Sequence, residues 1–141
     1  TGVEDLLEDH KQAGRPVMGI GHKKYSVENP DTRVTELINE AKSVLKEAKY
    51  LTYALAVEER TIQKKSSLIL NVDGALAAIL LDLLSEYEEM SHEEIEELFT
   101  IEFFNSFFLI PRTVGFISTF LGQKRRDEGL FRLPDDQVHY L

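Results

Sequence analysis

Residues 71–87 read NVDGALAAILLDLLSEY, and this stretch decides the fold. From Ala75 to Leu81 every side chain is apolar, and Asp82 is the first charged residue of the run. A helix that is apolar on all sides must be buried. We therefore expect a deeply buried helix over residues 74–87.

Apolar residues at helical spacing predict further helices on both sides of this one. The segment before it carries Asp31 as a candidate N-cap, and the segment after it opens with a capping-box pattern at Ser91 to Glu94. The predicted helices cover residues 34–45, 50–62, 92 onward and 113–124, with an aromatic stripe at 99–108 that Pro111 interrupts. Only Leu68 to Leu70 has the pattern of a strand. The predicted fold class is all-α, as a single unit over residues 1–141.

Composition limits the classes of partner. The chain has 141 residues, enough for one domain or a piece of a larger one, and a formal charge of −9 from 25 acidic and 16 basic residues. This balance argues against nucleic-acid binding, which needs a basic face. Basic residues gather at 11–24, 60–65 and 124–132, so an anionic small molecule can still find a positive pocket.

The chain has no cysteine, which excludes disulfides and thiolate chemistry and fits a reducing compartment. The histidines lack metal-site spacing, so no metal is expected. No stretch has the length expected of a transmembrane helix and no signal peptide is visible, so we expect no membrane partner and a cytoplasmic location. The first residue is Thr1 rather than Met, which suggests a cut or processed fragment.

Two glycine-bounded motifs carry candidate acid–base residues. His22 follows Gly19-Ile20-Gly21, and Asp73 lies in Asn71-Val72-Asp73-Gly74. Glycine tolerates unusual backbone angles and lets a ligand approach the main chain, and an imidazole with a carboxylate is typical of proton transfer. The alternatives are a loop histidine that caps a helix or satisfies a carbonyl, and an aspartate that serves as an N-cap.

Cationic side chains supply candidate anion contacts. Arg112 lies in a strongly apolar region, where burying a guanidinium requires an anion: an internal carboxylate or that of a substrate. Arg33 and Arg132 are further candidates. Lys64 and Lys65 offer charge for a phosphate, or form an ordinary solvated pair.

The order of these motifs resembles the citrate-synthase-homology module at the C-terminus of ATP-citrate lyases, within the citrate synthase superfamily. The resemblance runs from residue 14 to the end and rests on matching segments in sequence: 14–22, 29–34, 68–74, 112–117, 123–125 and 129–132. It implies a small CoA-binding helical domain over residues 14–122 and a C-terminal tail over 123–141.

The resemblance implies cleavage of citryl-CoA into acetyl-CoA and oxaloacetate. In that family the equivalent of His22 contacts the citryl hydroxyl as a general base, and the equivalent of Asp73 exchanges the proton of the acetyl methyl carbon. The resemblance also implies carboxylate contacts for Arg33, Arg112 and Arg132, the last reaching a neighbouring subunit. It places coenzyme A at Gly19, Ile20, Gly21, Lys64 and Lys65.

Two departures accompany the resemblance. Lys23 stands where the family commonly has arginine, and the chain lacks the larger domain that carries a second catalytic histidine. We therefore expect the isolated chain to be inactive. The partners that the resemblance implies are that large domain, a citryl-CoA synthetase module that handles ATP and magnesium, and further copies of the chain in a homodimer or homotetramer.

Two alternatives remain open. A citrate synthase would run the same site in the condensation direction. A non-catalytic helical interaction module would instead use the aromatic residues Phe99 to Phe108 as a partner surface.

Overall fold

The computed structural model describes residues 2–129, which are mainly helical, with a long non-helical connection over residues 13–31 that carries the His22 motif. The expected all-α class is confirmed, since the segment Leu68 to Leu70 contributes only an isolated bridge rather than a strand. The helices are α1 (Val3–Gln12), α2 (Thr32–Val44), α3 (Lys49–Ile62), α4 (Val72–Glu86), α5 (His92–Thr100) and α6 (Ser106–Arg125), with a 3₁₀ turn at Phe103–Asn105 before α6.

The chain divides into two compact units, Thr1–Glu96 and a second beginning at Glu97. The division falls within α5, and the boundary between small domain and tail near residue 122, which the family resemblance implies, stays a prediction. The first unit therefore contains the candidate residues His22, Arg33, Lys64, Lys65 and Asp73.

Helix α4 forms the core of the first unit, as its composition predicts. Ala75, Ala78, Ile79 and Leu80 are buried on it. One cluster joins α4 to residues of α2 and α3, and a second joins Ala75 to the segment around Leu70. The apolar helix is therefore the surface against which the rest of the unit packs.

The start of α3 is capped by side chains of α4. Ala48 precedes α3 in the left-handed region, with φ +50°, and offers no capping side chain. Asp82, which is 1% exposed, accepts hydrogen bonds from the amides of Tyr50 and Leu51 at 2.8 Å each. Glu86 accepts from the amides of residues 46, 47 and 48. These bonds, that of Lys46 foremost, hold the pKa of Glu86 below its ordinary value, although burial acts in the opposite direction.

Local signals at two other helix starts are confirmed. Asp31 caps α2 by accepting from the amide of Arg33 at 3.1 Å. Ser91 and Glu94 form the expected reciprocal capping box at α5, since each side chain accepts from the backbone amide of the other.

The expectation that Pro111 ends a helix is wrong, because α6 runs through it from Ser106 to Arg125. Proline removes one backbone hydrogen bond, but the rest of the helix is continuous. The resulting helical span Phe103–Arg125 is long and apolar enough to cross a membrane, with mean hydropathy 1.2. The expectation that no segment has this length was therefore also wrong. None of this span is buried within the described residues, and length and composition are the only features that mark it as a candidate.

Candidate functional site

The two glycine-bounded motifs lie side by side although 50 residues separate them. Ile20 and Leu70 form an antiparallel bridge. The amide of Gly21 donates to the carbonyl of Ile69 at 2.7 Å, and the amide of Asn71 donates to the carbonyl of Gly19 at 2.9 Å. The loop that carries His22 is thus fixed against the start of the helix that carries Asp73.

The glycines allow two backbones to touch. A Cβ on Gly74 would lie 2.6 Å from the carbonyl oxygen of Gly19, and a Cβ on Gly19 would lie 2.7 Å from the Cα of Gly74. Gly19 also has φ +81°, a conformation that favours glycine. Gly19 and Gly74 therefore allow the two motifs to contact each other, rather than only letting a ligand approach the main chain.

Asp73 is not the N-cap of α4, so that alternative is wrong. The cap is Asn71, whose Oδ1 accepts from the amides of Asp73 and Gly74. Asp73 lies in the first turn of the helix and is exposed. Its carboxylate is therefore available for chemistry rather than required to start the helix.

His22 is half-buried, and its ring is oriented by its own loop. Nδ1 accepts hydrogen bonds from the amides of Lys24 at 3.0 Å and Tyr25 at 3.1 Å, and the ring lies 4.6 Å from that of Tyr25. A nitrogen that accepts cannot carry the proton, so the neutral ring holds its proton on Nε2. His22 therefore presents an Nε2–H donor to any partner beyond the loop.

Arg33 makes a bidentate contact with Asp31. Its Nε donates to Oδ1 at 2.9 Å and its Nη2 donates to Oδ2 at 2.6 Å, while Asp31 is 4% exposed. Hydrogen bonding by Arg33 is the main cause that holds the pKa of Asp31 below its ordinary value, against the effect of burial. The contact fixes the orientation of the guanidinium. A substrate contact for Arg33 remains a prediction.

Lys64 lines a cleft of about 210 Å³ with three other basic residues. These are His10, Lys11 and Arg15, and the apolar part of the lining includes Ile20 and Leu68. His10 is held there by a 3.1 Å hydrogen bond between its Nδ1 and the carbonyl of Pro16. Of the predicted lysines, Lys64 thus lies in the same cleft as the predicted Ile20, whereas Lys65 is exposed and does not line the cleft.

The sequence reasoning did not single out Lys11 and Arg15. The basic cluster noted at 11–24 contained the signal, but only the position of α1, which carries Lys11, and of the segment after it, which carries Arg15, brings these residues to the same cleft as Lys64. A second, mainly apolar cleft of about 200 Å³ shares Val17 and Ile20 with the basic one and extends to Gly74. The two clefts lead from a cationic end to the helix start that carries Asp73.

The two predicted arginines of the C-terminal part do not lie in the first unit. Arg112 is exposed in the second unit, with its guanidinium carbon 5.4 Å from the centre of the Phe108 ring. The expectation of a guanidinium buried among apolar side chains is therefore wrong within this chain. Arg132 lies outside the described residues.

Comparison with known proteins extends this description. A sequence profile of the citrate synthase C-terminal domain matches residues 1–133. The probable ATP-citrate synthase of Dictyostelium discoideum is 41% identical over 135 residues, covering 96% of this chain and 22% of that protein. The ATP-citrate synthase of Bos taurus is 40% identical over 137 residues, covering 97% of this chain and 13% of that protein.

Solved structures of ATP citrate lyases are similar to this chain as well. ATP citrate lyase from Methanothrix soehngenii, in complex with citrate and coenzyme A, superposes with a TM-score of 0.85 at 40% identity over 99% of this chain and 23% of that one. An aspartate-to-alanine variant of the Methanosaeta concilii enzyme, in complex with (3S)-citryl-CoA, gives 0.83 at 39% identity, with the same coverage. The chain spans less than a quarter of the length of these relatives. The chain belongs to the citrate synthase C-terminal domain family.

Proposed function

We propose that the chain is part of the citryl-CoA lyase module of an ATP-citrate lyase. The module would cleave citryl-CoA into acetyl-CoA and oxaloacetate, within an overall conversion of ATP, citrate and CoA into acetyl-CoA, oxaloacetate, ADP and phosphate. One observation carries the proposal: the backbone hydrogen bonds that hold the His22 loop against the helix start bearing Asp73. Support comes from relatives whose structures contain citrate with coenzyme A, or citryl-CoA.

The two side chains have complementary roles in this reaction. Cleavage breaks the bond between the hydroxyl-bearing carbon of the citryl group and its acetyl CH₂. The hydroxyl proton leaves, its oxygen becomes the ketone of oxaloacetate, and the electron pair of the broken bond forms the enolate of acetyl-CoA. Asp73, in its protonated form, gives a proton to the enolate carbon.

His22 acts at the hydroxyl oxygen. In the condensation direction its Nε2–H is donated to the ketone oxygen, and the two amides on Nδ1 stabilise the ring as the proton leaves. In the cleavage direction microscopic reversibility requires Nε2 to begin without its proton and to take that of the hydroxyl. The amides of Lys24 and Tyr25 keep the proton of the neutral ring on Nε2 and so support the donor role in condensation. The general-base role in cleavage is proposed from the family resemblance.

We propose that coenzyme A binds in the clefts beside Ile20. Lys64 and the newly identified Arg15 offer charge for the phosphates, and Lys11, which pairs with Glu8 at 3.2 Å, would have to exchange that partner to do the same. The apolar cleft would accommodate an uncharged part of the cofactor on the way to Gly74. Gly19, Gly21 and Lys65 complete the proposed CoA contacts.

The chain supplies only part of a functional enzyme. We propose that a large domain adds the second histidine, that Arg33, Arg112 and Arg132 bind substrate carboxylates, and that a separate synthetase module makes citryl-CoA with ATP and magnesium. Further copies would complete a dimer or tetramer. Without the large domain, stabilisation of the enolate is incomplete, so the isolated chain should be inactive.

The test is to measure acetyl-CoA and oxaloacetate release from citryl-CoA, first with the chain alone and then with a separately produced large domain. We expect activity only in the mixture, and its loss by about 100-fold or more on Asp73→Asn, which keeps the shape but removes the acid. Asp9→Asn, at an exposed position of α1, is the matched control. A mixture that assembles and binds CoA but never cleaves citryl-CoA would refute the proposal.

A further inference from the structure

The side chain of Asn71 has a different task at each end. Its Oδ1 accepts from the amides of Asp73 at 3.1 Å and Gly74 at 3.0 Å, which starts α4. Its Nδ2 donates to the carbonyl of Gly21 at 3.1 Å. Gly21 immediately precedes His22, so one amide group touches both the turn that carries Asp73 and the peptide that carries His22.

A cap alone would not require asparagine. Aspartate, serine and threonine supply an acceptor at a helix start equally well. Only a carboxamide combines that acceptor with an N–H donor on the opposite side. The bond to Gly21 is thus a second function, distinct from capping, that the sequence motif did not reveal.

We propose that Asn71 is a positioning residue that sets the distance between the His22 ring and the Asp73 carboxylate. The inference rests on the proposed function, because the two side chains need a fixed spacing only if they act on one substrate. The backbone supports this role at the same point, since the amide of Asn71 donates to the carbonyl of Gly19.

Two substitutions separate the roles of capping and positioning. Asn71→Asp keeps an acceptor for the helix amides but turns a carboxylate oxygen towards the Gly21 carbonyl, and two acceptors at this distance repel. Asn71→Ser keeps the cap and removes the bond to Gly21 without repulsion. Asn39→Asp makes the same isosteric change at an exposed position of α2 and serves as the control.

Kinetics in the reconstituted module give the first test. Because a displacement of about 1 Å in a reacting group can reduce the rate about 100-fold, we expect Asn71→Asp to lower kcat by about 10- to 100-fold. KM for citryl-CoA should change by a smaller factor than kcat, since Asn71 itself does not line the clefts proposed for CoA. Asn71→Ser should lie between Asn71→Asp and the unchanged enzyme. A kcat equal to that of Asn39→Asp would overturn the inference.

Amide hydrogen exchange in the 141-residue chain gives a test that does not depend on activity. In Asn71→Asp the amide of Gly21, which is bonded to Ile69, should exchange about 10-fold faster or more, because opening of the loop costs less. The amide of Ala75 in the first turn of α4 should stay within about 3-fold, since the cap is kept. Unchanged exchange at Gly21, or equal loss of protection at Ala75, would contradict a separate positioning role.

The two readouts distinguish the possible failures. If the unsubstituted module does not cleave citryl-CoA, the proposed function fails, while the exchange experiment still decides whether Asn71 holds the loop. If the module is active and Asn71→Asp neither slows it nor loosens Gly21, only the inference about Asn71 fails.

Discussion

Replacing Asp82 by alanine should destabilise the first unit severely. The carboxylate is 1% exposed and accepts from two amides, of which that of Leu51 belongs to a fully buried residue. Loss of a helix cap costs about 1 kcal/mol, and leaving a buried donor without an acceptor costs about 1–3 kcal/mol. The free energy of unfolding should therefore fall by ~2–4 kcal/mol.

Urea unfolding followed by far-UV circular dichroism measures this change. Asp82→Asn keeps one acceptor oxygen, so its loss should be about half as large. Glu36→Ala removes an exposed carboxylate from α2 and should change the free energy of unfolding by less than about 0.5 kcal/mol. The reasoning is refuted if Asp82→Ala behaves like Glu36→Ala, because the two amides would then have found water or other acceptors.

Three further outcomes are expected. Because Arg33 lowers the folded-state pKa of Asp31, their contact stabilises the fold above the unfolded-state pKa of about 3.9, and this stabilisation is lost as the pH falls through the folded-state value. Arg33→Ala should therefore flatten the dependence of unfolding free energy on pH below about pH 4, and an unchanged acid titration would contradict the assignment. Gly74→Ala places a Cβ against the backbone of Gly19. The variant should be less stable, because overpacking costs about 1–3 kcal/mol and exceeds the gain of about 1 kcal/mol in helix propensity. A variant that is more stable in urea unfolding would disprove the close contact. Lys11→Ala should raise the Kd for coenzyme A by about 5-fold in calorimetry, and equal affinity would remove Lys11 from the cleft's function.

The parts of the fold that depend on neighbouring residues could be predicted from the sequence. The cap at Asp31 and the capping box at Ser91 involve groups two or three residues apart, so the local sequence alone reveals them. The burial of α4 follows from its apolar run. The N-cap alternative for Asp73 was wrong because another residue of capping type, Asn71, stands two positions earlier and starts α4. Pro111 was misjudged because proline weakens a helix by one bond without always ending it.

For the candidate site, the sequence predicted the two motifs but not what surrounds them. His22 and Asp73 were identified from their motifs, and the structure brings those motifs together through Ile20 and Leu70. The grouping of Lys11 with Lys64 depends on how α1 lies against α3, which is a long-range property that periodicity does not encode. The second hydrogen bond of Asn71 was hidden for the same reason.

The capping of α3 by α4 has a consequence for the order in which the chain acquires structure. The amides of residues 46–48, just before α3, and those of Tyr50 and Leu51 in its first turn find their acceptors 31 to 40 residues later in the sequence, on Glu86 and Asp82. During synthesis α3 emerges before those carboxylates exist. Until α4 has been made, only water can accept hydrogen bonds from the first amides of α3. We therefore expect α3 and α4 to form together in one cooperative step. In a nascent chain that stops before residue 82, the start of α3 at Lys49 should be frayed. Once the chain extends past Glu86, this first turn should form.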